Sequence, residues 1–251
     1  MSTRDTLRVE PVDAHVKQLQ ERLNAFWSTR RENAEPTALN IRTERELQVW
    51  MEVLSPLLPP PPADVVDLGT GQGFLALVFA ALGHRSRGFD LAEGMIEKAR
   101  EFAQGASNPP VFEIGDAMAP PLEPGSVDVV ANRNVMWTLL DPARAFRNWL
   151  TVLRPGGRLI ALHGVHVANI GNDPAGAHKE TYTDEIRGRL IGIHRQPTVE
   201  PALPFAREAG FVDVQVRRLT AIEEFERDLE QETGKPAEKT WLALTAVKST
   251  Y

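Results

Sequence analysis

From Val12 to Arg31 the apolar residues Val12, Val16, Leu19, Leu23, Phe26 and Trp27 recur at helical spacing, which predicts one amphipathic helix. The first ten residues before it are polar and read as loosely held. A turn follows at Asn33 to Pro36, and Thr43 with Glu46 then forms a capping box for a second helix with the stripe Leu47, Trp50, Val53 and Leu54. Pro56 and the run Pro59 to Pro62 stop that helix and act as a stiff spacer. Beyond it the pattern changes to short apolar runs alternating with helical stretches. The predicted strands are Asp64–Leu68, Arg85–Phe89, Val111–Ile114, Val127–Ala131 and Arg158–Leu162; the predicted helices are Phe74–Leu82, Ala92–Gln104 and Pro142–Leu153. Such alternation implies a parallel sheet with helices on both faces. After Gly164 it lapses into a polar stretch to about Pro197. Pro201 to Gly210 reads as a glycine-capped helix, and Phe211–Leu219 and Trp241–Val247 as a last antiparallel pair. The charged connection Glu223 to Lys239, with its tract Glu223–Glu232, reads as a solvated face.

Composition narrows the function classes. With 251 residues, 42% of them hydrophobic and 25% charged, the chain is that of an ordinary globular protein. A net charge of −6 counts against a general nucleic-acid binder. The absence of cysteine excludes disulfides, thiolate metal sites and cysteine nucleophiles. The apolar run Phe74 to Leu82 is too short to span a bilayer, and no basic-then-apolar leader opens the chain, so a cytoplasmic protein with no membrane partner is expected.

The chemistry concentrates at Asp64-Val65-Val66-Asp67-Leu68-Gly69-Thr70-Gly71-Gln72-Gly73-Phe74. A strand ends in an acidic residue, and three alternate glycines lead into a helix, so a ligand can approach bare backbone there. A dinucleotide fingerprint needs Gly or Ala where Phe74 stands, and a phosphate loop needs a Gly-Lys-Ser/Thr ending that is absent. Asp90 closes the next strand; its carboxylate suits ribose hydroxyls or, alternatively, caps the following helix. Gly115-Asp116-Ala117-Met118 follows the third strand and Ala131-Asn132-Arg133-Asn134 the fourth.

The D-x-G-x-G-x-G loop resembles the first motif of class I S-adenosylmethionine-dependent methyltransferases. Asp90-Leu91-Ala92-Glu93-Gly94-Met95 is similar to that family's D-x-S-x-x-M, with Ala92 in place of the small polar residue, and Val152 to Leu159 to its L-R-P-G-G turn. The resemblance spans about residues 64 to 164, and the last strand pair extends it. It implies an α/β, Rossmann-like seven-stranded sheet, parallel with a terminal antiparallel strand, flanked by helices. Residues 1–62 would be an N-terminal helical cap and 63–251 the methyltransferase domain, with an acceptor-cap insertion at about 165–197. The implied cofactor is S-adenosylmethionine, leaving as S-adenosylhomocysteine, and the implied partner is a small-molecule acceptor of a monomer or homodimer. The residues implied to hold the cofactor are Asp67, Gly69, Thr70, Gly71 and Gly73 of the loop, Asp90, Leu91 and Met95, Asp116 and Ala117 at the adenine, and Asn132 and Arg133. Trp27, beside Phe26 and Arg30-Arg31, would be a lid contact, although its helical stripe fits a core residue equally.

Candidates for catalysis are sparser. Methyl transfer from a sulfonium needs alignment and dryness first, and a base only where the acceptor must lose a proton. In Arg133-Asn134-Val135-Met136-Trp137-Thr138-Leu139 the family often has histidine where this chain has Asn134. His163 and His166 follow the fifth strand and are the alternative bases, with a structural role open for each. His178, His194, Asp173 and Asp184 show no ligand spacing, so no metal is expected. Three rival readings stay open: an RNA or protein methyltransferase, a non-catalytic cofactor-binding protein, and a nicotinamide-dependent oxidoreductase, the last disfavoured by Phe74 and the lack of a Tyr-x-x-x-Lys pair.

Overall fold

Strands and helices alternate in the computed structural model of the chain, which describes residues 8–33, 43–166, 180–193, 197–235 and 239–251. Helices α1 (Ala14–Asn33) and α2 (Glu44–Leu54) precede β1 (Asp64–Leu68), α3 (Phe74–Ala81), β2 (Arg85–Asp90), α4 (Glu93–Phe102), β3 (Val111–Ile114) and β4 (Val127–Arg133). Then follow α5 (Pro142–Val152), β5 (Leu153–His166), α6 (Asp184–Arg189), α7 (Leu203–Ala209), β6 (Phe211–Arg218), α8 (Thr220–Thr233) and β7 (Lys239–Lys248). The sheet order is β3-β2-β1-β4-β5-β7-β6. β1 lies parallel to both β2 and β4, so the strand order reverses between them, and the carboxyl ends open a crevice there. β7 runs antiparallel between β5 and β6, which leaves β6 at the edge.

The two N-terminal helices separate. Val16, Leu19 and Leu23 of α1 join the core on the face that carries Val66, Leu68, Val130, Ala161 and α5. Trp50 and Leu54 of α2 join the opposite core with Val65, Ala131, Leu162 and Trp241. The Trp50 ring packs edge-on against Phe74 and Trp241, both at 5.1 Å. Thr43 caps α2 as its sequence requires, its hydroxyl accepting from Glu46 N at 3.0 Å.

Two expectations are overturned. Glu10, placed in the loosely held start, is fastened: its backbone N–H donates to Asn148 Oδ1 at 2.6 Å, its carbonyl accepts from Asn148 Nδ2 at 2.9 Å, and its carboxylate accepts from Arg147 twice. Asn148 is fully buried on α5, so it offers the incoming chain an otherwise costly unpaired amide. Nor is Glu223–Glu232 a solvated face. It belongs to α8, and Glu223 and Glu226 are buried. Glu223 accepts from Trp241 N and Arg218 Nε, and Glu226 accepts from Trp241 Nε1 and Lys239 Nζ, all within 3.0 Å. Trp241 and Lys239 of β7 and Arg218 of β6 thus supply the donors that these buried carboxylates require. Among the described residues no helix is long and apolar enough to cross a membrane.

Candidate active site

β1 is buried and apolar up to Asp67, so its exit presents one carboxylate and then the glycines to the crevice. All three loop glycines are left-handed, with φ of 69°, 54° and 89° at Gly69, Gly71 and Gly73. They do different work. A Cβ on Gly71 would meet no atom within 4 Å, so its bare main chain faces open space. A Cβ on Gly73 would lie 2.7 Å from the Phe112 ring and 3.2 Å from Ala99 Cβ, so Gly73 lets β3 and α4 close on the loop. Gly69 is packed as closely, since a Cβ there would lie 2.5 Å from Val135 Cγ2.

Asp67, Gly69, Thr70, Gly71, Gln72, Leu75 and Arg133 line an open-sided hollow. Asp67 Oδ2 accepts from the Thr70 hydroxyl at 2.6 Å, while Oδ1 is buried with no hydrogen-bond partner among the described residues. Burial pushes the Asp67 carboxyl up to about 6, against the opposing pull of the Thr70 hydrogen bond and the Arg133 charge. Gln72 Oε1 is likewise buried without a partner. The Arg133 guanidinium lies 3.9 Å from the centroid of the Phe74 ring and 5.9 Å from that of Trp50.

At the neighbouring strand ends, Asp90 accepts from Gly71 N and Ala92 N, both at 2.9 Å, and from Leu91 N. It therefore ties the open glycine to β2 and fixes the turn into α4, whose N-cap Ala92 makes no side-chain cap hydrogen bond. Burial raises its pKa against those hydrogen bonds. Met95 is buried in the first turn of α4. Asp116 accepts from Met118 N at 2.8 Å and from the Gln20 side chain of α1, and burial raises its pKa. The carbonyl of Ala117 accepts from Trp149 Nε1 at 2.7 Å.

The fourth strand end divides its residues. Arg133 lines the hollow, whereas Asn132 alternates with Val130 and turns toward the α1 face. Asn134 sits at φ 60°, a left-handed conformation that asparagine tolerates; its N–H donates to Leu162 O and its Oδ1 accepts from Gly164 N at 2.7 Å. Its carboxamide oxygen thus pins the exit of β4 to β5. His163 is buried on β5 with Nε2 3.0 Å from Ile193 O. A carbonyl can only accept, so Nε2 carries the proton and the neutral ring's acceptor is Nδ1. His166 ends β5, its backbone registered opposite Lys239. His178, Asp173 and His194 lie outside the described residues.

Trp27 stands away from the glycine hollow. It packs edge-on with Phe26 at 5.3 Å and with Trp137 at 6.1 Å, and Tyr182 stacks on Trp137 and meets Phe26. Sequence reasoning missed Gln72 and Leu75 in the hollow and Phe26 and Tyr182 in the ring cluster. Gln72 had a signal, lying between two motif glycines; Tyr182 had none, because only the fold brings it to α1.

Sheet order, glycine loop and acidic strand end lie within a stretch that resembles known methyltransferase domains. Residues 66–161 match the family described as a methyltransferase domain. The chain is 42% identical over 106 residues to malonyl-[acyl-carrier protein] O-methyltransferase of Methylococcus capsulatus, covering 41% of this chain and 38% of that one. It is 34% identical over 109 residues to ubiquinone biosynthesis O-methyltransferase of Albidiferax ferrireducens, covering 43% of each. It therefore spans less than half the length of these relatives. Among solved structures, Haemonchus contortus phosphoethanolamine N-methyltransferase 2, in complex with phosphomonomethylethanolamine and S-adenosylhomocysteine, shares the fold. Its TM-score is 0.62 at 18% identity, over 92% of this chain and 57% of that one.

Proposed function

We propose that this protein transfers a methyl group from S-adenosylmethionine to a small-molecule acceptor. The observation that carries the reading is the open main chain of Gly71 beside the half-partnered buried carboxylate of Asp67. These groups fit the cofactor: Asp67 Oδ1 suits an ammonium, Arg133 suits a carboxylate, and Asp90 suits the ribose hydroxyls. When bound, the sulfonium supplies an electrophilic methyl carbon. The protein's share is to hold the acceptor in line and exclude water.

Helix α1 is the part of the N-terminal segment suited to cover the acceptor. His15 on α1 reaches Glu185 on α6 at 2.5 Å, which joins the two candidate cap pieces, while α2 packs on the far face. His163, with its Nδ1 as proton acceptor, is the base where the acceptor must lose a proton, and Asn134 holds the strand end that carries it. Calorimetry tests the cofactor assignment. Asp90→Ala should lose S-adenosylmethionine binding while circular dichroism stays native, and unchanged affinity would refute the ribose role. Release of S-adenosylhomocysteine with an acceptor panel separates an enzyme from a non-catalytic binder.

A further inference from the structure

Asn132 is the most anomalous polar residue in the core. Its side chain is 0% exposed, and among the described residues neither its oxygen nor its nitrogen has a hydrogen-bond partner. A buried amide left in that state is destabilising, and a bound molecule that pairs with it removes the cost. Strand alternation turns it to the α1 face, together with Leu68 and Ala161, its neighbours across β1 and β5. The turn Met136–Thr138 follows within a few residues and carries Trp137 into the ring cluster with Phe26, Trp27 and Tyr182. His163, two residues beyond Ala161 on β5, presents its ring on this same face.

The charges fall elsewhere. Among the described residues Asp90 and Asp116 are partly buried on main-chain N–H groups at the strand ends, Asp116 also on Gln20 of α1, and the fully buried carboxylates are Glu46, Asp67, Glu223 and Glu226. Asp67 belongs to the glycine hollow, and the other three ride on α2 and α8, across the sheet from α1. Rings without a buried carboxylate favour an uncharged partner over an ammonium ion, whose desolvation they would offset only in part.

We propose that Asn132 is the polar anchor of the acceptor site, and that the acceptor is an uncharged, ring-bearing molecule whose hydroxyl or amide group pairs with this carboxamide beneath the Phe26, Trp27, Trp137 and Tyr182 rings. Both a donor and an acceptor are needed to satisfy the carboxamide, which a hydroxyl or amide supplies and an ether does not. This rests on the methyltransferase reading and gives it a substrate class. It also moves Asn132 from the cofactor to the acceptor.

The test uses the full chain without cofactor, with 2-naphthol as an uncharged ring alcohol and choline as a cationic probe of aromatic surfaces. Titration calorimetry should show 2-naphthol binding at least about tenfold tighter than choline. Asn132→Leu, close in shape but without hydrogen bonds, should weaken 2-naphthol by about tenfold or more. It should leave S-adenosylmethionine affinity within about threefold, and it should hold or raise the thermal midpoint, since it removes an unpaired amide. Choline binding as tightly as 2-naphthol, no binding of 2-naphthol to the wild type, or equal 2-naphthol affinity in the variant would overturn the proposal. So would a lowered midpoint, which would mean that the amide is satisfied within the fold. Loss of S-adenosylmethionine binding by the wild type would instead sink the cofactor assignment, and the naphthol comparison would still be read on its own.

Discussion

At the scale of single residues, the glycine loop separates fold from function. Gly71→Ala adds a methyl to open space in a left-handed backbone, so it should cost about 1 kcal/mol of stability by conformation alone. Its effect on S-adenosylmethionine affinity should be larger, a loss of about tenfold or more, because the methyl occupies the hollow. Denaturant titration and calorimetry on the same protein separate the two effects. Asp67 sets a pH dependence. Its carboxyl is raised from an ordinary 3.8 to about 6, so its contribution to stability is present below the unfolded value and is lost as pH rises through about 6. On the proposed assignment cofactor binding runs the other way, since the ammonium would pair with the carboxylate. Affinity should fall by up to about tenfold per pH unit below about 6. Asp67→Asn should flatten that profile, weaken binding at pH 8 and raise the thermal midpoint there; a profile unchanged in the variant would exclude Asp67 as the titrating group. The loop was legible in the sequence because glycine spacing after a strand is a local property. The division between Asn132 and Arg133 was not, since it depends on β4 continuing to Arg133 rather than ending at Ala131.

At the scale of elements, α8 shows what periodicity misses. Its apolar positions are interrupted by Glu223 and Glu226, which read as solvent-facing until β7 brings Trp241 and Lys239 against them. Glu226→Ala should destabilise the fold by about 1–3 kcal/mol, because it leaves the buried Trp241 Nε1–H without its acceptor, whereas Glu224→Ala at an exposed position should stay within about 0.5 kcal/mol. Chemical denaturation of the two variants makes the comparison. A similar reversal holds at the start of the chain. Polar residues look unanchored in sequence, yet Asn148 and Arg147 on α5 hold Glu10 and so fix where α1 begins. Asn148→Ala should open this segment to limited proteolysis before the rest of the domain unfolds.

At the scale of the whole molecule, the sheet is a partition with different chemistry at the same strand ends. One side carries the glycine hollow with Asp67 and Arg133, and the other carries Asn132, His163 and the aromatic rings. A ligand that binds only the folded protein at about 100 times its dissociation constant stabilises it by about 2.7 kcal/mol. S-adenosylmethionine should therefore raise the thermal midpoint by several degrees, and Asp90→Ala should abolish that rise.

Local spacing by itself determined the alternating elements, the parallel sheet, the glycine loop and the acidic strand ends, because each follows from side-chain period or backbone freedom within a few residues. Which charges are buried, which of two adjacent residues lines the glycine hollow, and which rings gather beside α1 were decided only by the tertiary structure. Those outcomes depend on partners far apart in the chain, such as Tyr182 against Trp137 or Glu226 against Trp241, and on the twofold alternation of a strand whose end only its neighbours define.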